Sequence, residues 1–430
     1  MKNLYSNIIS QSSLLIEKIF VQIFFPSLML FFWGKENFNL WIFMFSIPSF
    51  LSLFQISIIS PSRNQMSILF KNRKFKLLNT IYQNAFIFIL FNSAVITLVT
   101  LVYIFLNLEN SIVNQNIDLI IITLSCSIIT FLIGPFSMAL TYKGNIRKYV
   151  SSEIFFDIML SLAIPFSSLL LDDFKKVFYV ALFVYIFKIL FIYLLIKDKN
   201  LVKFVNFKFF KLKVFKNVFN FSIGFNLDVI SNILKGPGLI FLLGTTNNLS
   251  LTGLVSTSKT LFYFFPIRFL DILYNSYYLE ITKFFKFSKF SKKIINFYLR
   301  VLLFVISLLI VITIFQNIFG LNIYNFWLNK KFLISSELIL LITLDVFLVI
   351  LINFITLPLK SINKYNIIAS IDLFMNILTF VSIIKFNLLT DLISIFKTIL
   401  FFTSINFILK FIINIFIFKK LINYSKKEYN

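Results

Sequence analysis

The residues able to do chemistry in this chain lie inside its most apolar stretches. Lys18 and Glu17 interrupt the run from Ile8 to Phe32; Gln11 and Gln22 share the Lys18 stripe at helical spacing with Asn7, and Ser10 and Ser13 lie beside Glu17. A second run, Val218 to Leu243, carries Gly224, Asp228, Ser231 and Lys235 on one stripe with Asn232 adjacent, and is interrupted by Gly236, Pro237 and Gly238. A third, Leu251 to Leu273, aligns Thr252, Ser256, Lys259 and Tyr263 before Pro266, Arg268 and Asp271. A fourth, Phe38 to Ser60, adds Ser49, Ser52 and Gln55. Charged side chains at such positions are costly in hydrocarbon and point to pairing or function. Lys18 lies about 15 Å into its run at about 1.5 Å per residue, which makes snorkelling to either edge hard.

The chemistry these groups support is recognition rather than bond making. The chain has no histidine and one cysteine, Cys126, so an imidazole relay, a cysteine metal cluster and an intramolecular disulfide are all unexpected. No GxxxxGK[ST] phosphate loop occurs, and no metal or cofactor is implied. The cations Lys18, Lys235, Lys259 and Arg268 outnumber the acids Glu17, Asp228 and Asp271. Gathered around one cavity of low dielectric, they would pair with the two or three charges of a pyrophosphate, while Gln11, Gln22, Gln55, Asn232, Ser256 and Tyr263 would meet sugar hydroxyls. Glu17, Asp228 and Asp271 are the candidates for coupling to a proton or sodium gradient. Pro26 and the Gly236-Pro237-Gly238 triplet are expected as hinges, because proline removes a backbone donor and glycine loosens the turn. A structural use stands beside each role. Lys18 and Glu17 could neutralise partners on neighbouring helices, and Lys235 could pair with Asp228. Arg268 and Asp271 could pair near a helix end, and Asp157 and Asp345 could be counter-ions only. Lys188, Arg300 and Lys410 are expected to snorkel to the interface.

The elements that must position these groups are membrane spans. At 59% hydrophobic and 13% charged residues over 430, the chain has more apolar surface than one soluble core could bury. Its mean hydropathy is +0.91. A span needs about 20 apolar residues. Besides the four runs above, suitable windows are Ile81 to Leu106, Asp118 to Thr141, Ser151 to Leu171, Val177 to Ile196, Ile294 to Phe319, Ser336 to Leu359, Ile367 to Phe386 and Leu392 to Phe418. The expectation is an all-α polytopic membrane protein of twelve transmembrane helices.

Lysine and arginine set its orientation. The N-terminus, the even-numbered gaps and the C-terminal tail hold 27 of them and the odd-numbered gaps 6. Positive charge stays cytoplasmic, so both termini are expected inside. The net charge of +24 is thus mostly a topology signal with a secondary attraction to anionic lipid; nucleic acid is not an expected partner. The first run has no small-residue cleavage site and is too long for a signal-peptide core, so it is expected to be retained.

The longest basic gap divides the spans six and six. The expected organisation is an N-terminal lobe over 1–196, a basic cytoplasmic linker over 197–217, a C-terminal lobe over 218–418 and a basic tail over 419–430. The linker stretch NLVKFVNFKFFKLKVFKN, Asn200 to Asn217, mixes Phe with Lys as an interfacial segment does, or as a plain basic connector does. A shift of 210 residues aligns Gly34 with Gly244 and RKFK at Arg73 with KFFK at Lys283, so the lobes are expected to be related by an axis along the membrane normal.

The stretch from Trp33 to Ala85, opening WGKENFNLWIFMFSIPSF, resembles the second-span signature of the polysaccharide transport family, including the Wzx-type O-antigen flippases: an aromatic-glycine turn, a Trp, a Pro-Ser in the span and a polar N-x-M run before a basic loop. Phe221 to Glu280 is similar to that family's seventh and eighth spans, and IYNFWLNKKF, Ile323 to Phe332, to its gap between the ninth and tenth. Where the family usually has an acidic-glycine sequence at the end of the second span, this chain has Gln55-Ile56-Ser57, so a carboxylate is missing there. The resemblance implies a bacterial inner-membrane flippase. It would accept an undecaprenyl-diphosphate-linked oligosaccharide, an O-antigen or capsule repeat unit, on the cytoplasmic face and release it facing the periplasm. Membrane lipids and other polysaccharide assembly proteins would be its partners. A multidrug or toxin exporter of the same superfamily is the main alternative, although it would favour an acid-lined cavity. A membrane-embedded glycan-processing enzyme is disfavoured by the short external gaps and the lack of histidine.

The charge distribution makes a direct prediction about topology. In a Cys126→Ala background, single cysteines at Lys35, Lys175 and Lys330 should react with an impermeant maleimide in intact cells, and cysteines at Lys74, Lys148 and Lys211 should react only after permeabilisation.

Overall fold

Lipid offers backbone groups no hydrogen-bond partners, so a spanning chain must satisfy its own N–H and C=O groups within helices. The computed structural model of this protein obeys that constraint. It describes residues 2–51, 58–107, 111–143, 147–196, 209–246, 248–271, 273, 274, 277, 292–361 and 365–427, and these are helices joined by short turns. In chain order the helices are α1 (Lys2–Leu51), α2 (Ile59–Lys71), α3 (Phe75–Leu106), α4 (Ser111–Gln115), α5 (Ile117–Thr141), α6 (Arg147–Phe166), α7 (Lys175–Leu195), α8 (Leu212–Ile233), α9 (Leu239–Thr245) and α10 (Leu249–Lys259). They are followed by α11 (Lys292–Trp327), α12 (Ser336–Ser361), α13 (Tyr365–Lys385) and α14 (Leu392–Lys427).

Among the described residues, ten helical stretches are long and apolar enough to cross a membrane. The difference from the expected twelve arises in two places. The first two expected spans belong to one helix, α1, interrupted only at Gly34, whose φ of 77° and ψ of 179° turn the chain between its two arms. Only glycine adopts that conformation without a Cβ penalty. The eighth expected span is composite. It starts as α10, widens into a π-helical turn over Thr260–Phe264 and continues as helix to residue 271. A second π-turn, Leu234–Gly238, joins α8 to α9 and holds Pro237.

The chain divides into two compact units. The first comprises Met1–Val229 with Gly236–Thr252, and the second Ile230–Lys235 with Gly253–Asn430. In the first unit α1 packs on α3, α5, α6 and α9, and α7 closes against α5 and α6. A buried cluster including Met66, Leu78, Tyr82, Phe88, Met138 and Tyr142 joins α2, α3 and α5, and Val218 of α8 packs into it. Asn84 of α3 clamps the chain ahead of α8: its amide donates to the Phe209 carbonyl at 3.0 Å, and its side-chain oxygen accepts from the Lys211 N–H at 3.0 Å. The expected linker is otherwise outside the described residues from 197 to 208. In the second unit α12 packs on α11 and α14, and α13 lies against α14. Asp391 starts α14 by accepting from the Ile393 N–H at 3.0 Å and the Ser394 N–H at 3.1 Å. The Ser394 hydroxyl also donates to it, which chiefly holds this carboxyl below its ordinary range.

Many serine and threonine hydroxyls inside the helices are satisfied locally. Ser93, Thr97, Thr100, Ser127, Thr130 and Thr141 each donate to the carbonyl four residues earlier. Such back-bonding lets serine and threonine lie within lipid-solvated helices without a partner helix.

Gly244 and Gly34, equivalent in the expected repeat, are required for different reasons. A Cβ on Gly244 would lie 1.9 Å from Cδ2 of the fully buried Phe43. Gly244→Ala should therefore cost about 1–3 kcal/mol by overpacking, read as a lower melting temperature in detergent. Phe43→Leu should recover part of that loss in the Gly244 variant and none in Gly34→Ala, where strain is at φ and no neighbour lies within 4 Å.

Candidate functional site

Each unit carries a buried ionic network. In the first, α6 presents Glu153 and Asp157 one helical turn apart towards α7. Lys188 of α7 reaches both, with Nζ 2.9 Å from Glu153 Oε2 and 3.2 Å from Asp157 Oδ1. Lys188 is thus a buried counter-ion rather than the expected interfacial snorkel, because two carboxylates on the next helix lie closer to its ammonium than any headgroup would. Glu17 of α1 adds a third acid within electrostatic reach of Lys188, Glu153 and Asp157. It is buried, and neither carboxyl oxygen has a hydrogen-bond donor among the described residues.

In the second unit the π-turn at Leu234–Gly238 places Lys235 against α12 and α14. Its Nζ lies 2.9 Å from Asp345 Oδ1 of α12 and donates to Thr403 Oγ1 of α14 at 3.3 Å. Thr403 in turn donates to Asp345 Oδ1 at 2.7 Å, which completes a three-membered ring around a carboxylate only 1% exposed. Lys235 therefore pairs with Asp345 and not with Asp228, seven residues earlier on its own helix.

Lys259, at the end of α10, donates to the Lys235 carbonyl at 2.7 Å, which links the two π-turns. A π-turn containing a proline disturbs the i→i−4 ladder and frees carbonyls for other donors. The rings of Tyr263 and Phe396 lie 5.5 Å and 5.8 Å from the Lys235 and Lys259 ammonium groups, within cation–π range.

The polar seam continues along α13 and α14. Lys410 donates to Asp372, whose Oδ1 also accepts from Asn406 at 2.8 Å. Asn376 donates to the Ser231 hydroxyl at 2.7 Å. Lys410 is 2% exposed, so it too is an internal ion-pair partner and not a snorkel. Arg300 is exposed. Asp157 and Asp345 are the counter-ions that their positions suggested.

The remaining expected site residues lie as follows. Lys18, Gln22, Asp228, Ser256, Tyr263, Arg268 and Asp271 are half-buried, and Asn232 is exposed. Arg268 and Asp271 form no ion pair among the described residues. The Gln11 side chain and all of Gln55 lie outside the described residues. Pro26 is buried within continuous α1, whereas Gly236, Pro237 and Gly238 form the wider π-turn. Glu153, Asp372, Asn376, Thr403 and Asn406 were not singled out from the sequence. The signal was present in part: Thr403, Asn406, Lys410 and Asn414 follow one another at intervals of 3, 4 and 4 residues on one face of α14.

These features define a multi-pass helical membrane protein with charge buried in both units. No protein-family model and no curated protein matches the chain. Solved structures do share its fold. The chain is similar to a multidrug resistance MATE family transporter of the MOP superfamily in an inward-facing conformation, with a TM-score of 0.68 and 11% identity over 95% of this chain and 96% of that one. It is also similar to MATE in a bent conformation, with a TM-score of 0.57 and 12% identity over 96% and 95%. A third match, a MOP superfamily transporter from Pyrococcus furiosus described as having a binding pocket of reverse polarity that suggests a different function, has a TM-score of 0.51 and 12% identity over 95% and 96%. The fold is thus that of the MATE transporters of the MOP superfamily.

Removing one member of a buried ion pair leaves the other uncompensated. Asp345→Leu, which strands the Lys235 ammonium, should destabilise the protein by about 3–5 kcal/mol, whereas Asp345→Leu combined with Lys235→Met should recover most of that loss. Thermal unfolding of the purified variants in detergent checks both.

Proposed function

We propose that this chain is a flippase that moves an undecaprenyl-diphosphate-linked oligosaccharide from the cytoplasmic to the periplasmic leaflet of a bacterial inner membrane. The observation that carries this reading is the sign of the buried charge in the second unit. Its network holds three lysines, Lys235, Lys259 and Lys410, against two aspartates, Asp345 and Asp372. Lys235 and Lys410 have carboxylate partners, whereas among the described residues the Lys259 ammonium is in contact with a carbonyl and an aromatic face and forms no ion pair. A buried cation without a counter-ion attracts an anion, and a diphosphate supplies one.

In this reading Lys18, Lys235, Lys259 and Arg268 engage the headgroup, with Gln11, Gln22, Gln55, Asn232, Ser256 and Tyr263 meeting its sugars. The prenyl tail stays in lipid while the spans alternate access, bending at Pro26 and at the Gly236-Pro237-Gly238 turn. Other polysaccharide assembly proteins supply and consume the lipid-linked unit. The likeness to MATE structures supports a transporter over a membrane-embedded enzyme. An exporter of cationic drugs would call for the opposite buried charge, and the Pyrococcus furiosus neighbour's reverse-polarity pocket supports the idea that this fold accepts either sign. Glu17, buried with no hydrogen-bond donor among the described residues and within electrostatic reach of Lys18 and Lys188, is the strongest candidate for gradient coupling, ahead of Asp228 and Asp271.

Deleting the gene should leave lipid-linked oligosaccharide on the cytoplasmic face of the inner membrane, where a membrane-impermeant probe reads each leaflet. A Lys18→Ala, Lys235→Ala, Lys259→Ala triple variant, made together with Asp345→Asn so that no buried carboxylate is stranded, should reproduce the deletion at normal expression, and an ionophore should stop transport in vesicles. Wild-type surface glycan from the triple variant would sink the cation assignment, and transport that survives the ionophore would remove the coupling role. Normal glycan in the deletion strain, with no second flippase present, would favour the exporter, and periplasmic build-up an enzyme.

A further inference from the structure

A cleft of about 470 Å³ opens between the first turns of α6 and the last turns of α7. It lies wholly within the first unit and shares no residue with either buried ionic network. Along α6 its wall changes character at four-residue intervals, from Arg147 to Ser151 to Phe155, with Lys148 beside the first. Residues so spaced lie on one helical face, and Arg147 and Phe155 are separated by about 12 Å of rise at about 1.5 Å per residue. Phe191 and Leu195, also four apart, supply the facing apolar wall from α7. The cleft is therefore cationic at one end, hydroxylic next and hydrocarbon beyond.

Arg147 and Lys148 are exposed and form no ion pair among the described residues. The nearby acid on α6, Glu153, is held by Lys188. Phe155 is 54% exposed and Leu194, next to Leu195, is 69% exposed, so this side of the unit faces lipid. The cleft's cationic end belongs to the gap holding Lys143, Arg147 and Lys148, which the charge distribution places at the cytoplasmic leaflet.

We propose that this cleft binds an anionic glycerophospholipid of the cytoplasmic leaflet. The guanidinium of Arg147 and the ammonium of Lys148 hold the phosphate, the Ser151 hydroxyl, turned back to donate to the Arg147 carbonyl at 2.9 Å, lines the step between head and tail, and one acyl chain lies along Phe155, Phe191 and Leu195. A guanidinium matches a phosphate with paired N–H donors, and basic clefts between spans at the cytoplasmic side suit anionic headgroups. The volume falls within the roughly 300–1,000 Å³ of ligand pockets. Two unneutralised cations with no acid between them select a net anion over a zwitterion of the same chain length. The site is independent of what the protein transports, because it lies outside the ionic networks.

The full chain, purified in a mild detergent, would be mixed with equal amounts of phosphatidylglycerol and phosphatidylcholine of identical acyl chains and examined by native mass spectrometry. Phosphatidylglycerol should be retained at one tight site with at least a tenfold preference. Arg147→Gln with Lys148→Gln should remove that preference, a fall of about 10- to 30-fold, while Lys74→Gln with Lys76→Gln should leave it intact. Leu195→Trp, which fills the cleft and keeps its charge, should also abolish retention. On the wild-type chain, a diazirine in the acyl tail of phosphatidylglycerol should label the peptides carrying Phe155 and Leu195. Equal retention of the two lipids, equal loss in the Lys74/Lys76 control, or labelling elsewhere would overturn the proposal. Displacement of phosphatidylglycerol by equimolar undecaprenyl phosphate, with labelling of the same peptides by a prenyl probe, would also overturn it and assign the cleft to the polyprenyl lipid.

Discussion

A charge inside hydrocarbon must be met by an opposite charge or a ligand at its own depth, and this protein is organised around that requirement. Lys235, Asp345 and Thr403 come from three separate helical elements and close into a ring whose acid is 1% exposed. Lys188 bridges Glu153 and Asp157 in the same manner. Each pair fixes the rotation and depth of the helices that carry it, because sliding either helix by one turn would strand a charge. Apolar contacts cannot supply that register, since lipid tails solvate leucine and phenylalanine as well as another helix does.

The departures from pairing are the informative positions. Glu17 is a buried carboxyl with no hydrogen-bond donor among the described residues, within electrostatic reach of two other acids, Glu153 and Asp157, and two lysines, Lys18 and Lys188. Lys259 is a buried ammonium with a carbonyl and a ring for company. Such groups are hard to keep for stability alone, because a hydrophobic residue in their place would fold as well or better. One has spare negative capacity and lies in the first unit; the other has spare positive capacity and lies in the second.

The two π-turns belong to the same logic. Leu234–Gly238 and Thr260–Phe264 each widen a helix, and Lys259 donates to the carbonyl of Lys235 in the first of them. A proline and a π-turn cost regular hydrogen bonds, which only polar neighbours can repay at membrane depth. At the head of α6 the cations Arg147 and Lys148 are exposed and form no ion pair among the described residues.

Composition and periodicity alone determined that this is an all-helical membrane protein, where most of its spans lie and some of the residues that carry buried charge, among them Glu17, Lys235 and Lys259. Those properties are local: a run of about 20 apolar residues needs lipid, and a lysine within it is costly whatever its neighbours. Asp157 and Asp345 could be read as counter-ions because an acid in a span has few other uses. Which cation meets which acid could not be read. Lys235 lies two helical turns from Asp228 on one stripe, yet it pairs with a residue 110 positions away. Lys188 and Lys410 looked like snorkels because span edges are blurred in sequence, and only helix packing revealed carboxylates at their depth. The fusion of the first two spans through Gly34 and the π-turns at Pro237 and Tyr263 likewise depend on backbone geometry. Tertiary structure decided these points because ion pairing in a bundle is set by distances of a few ångströms between helices remote in the chain.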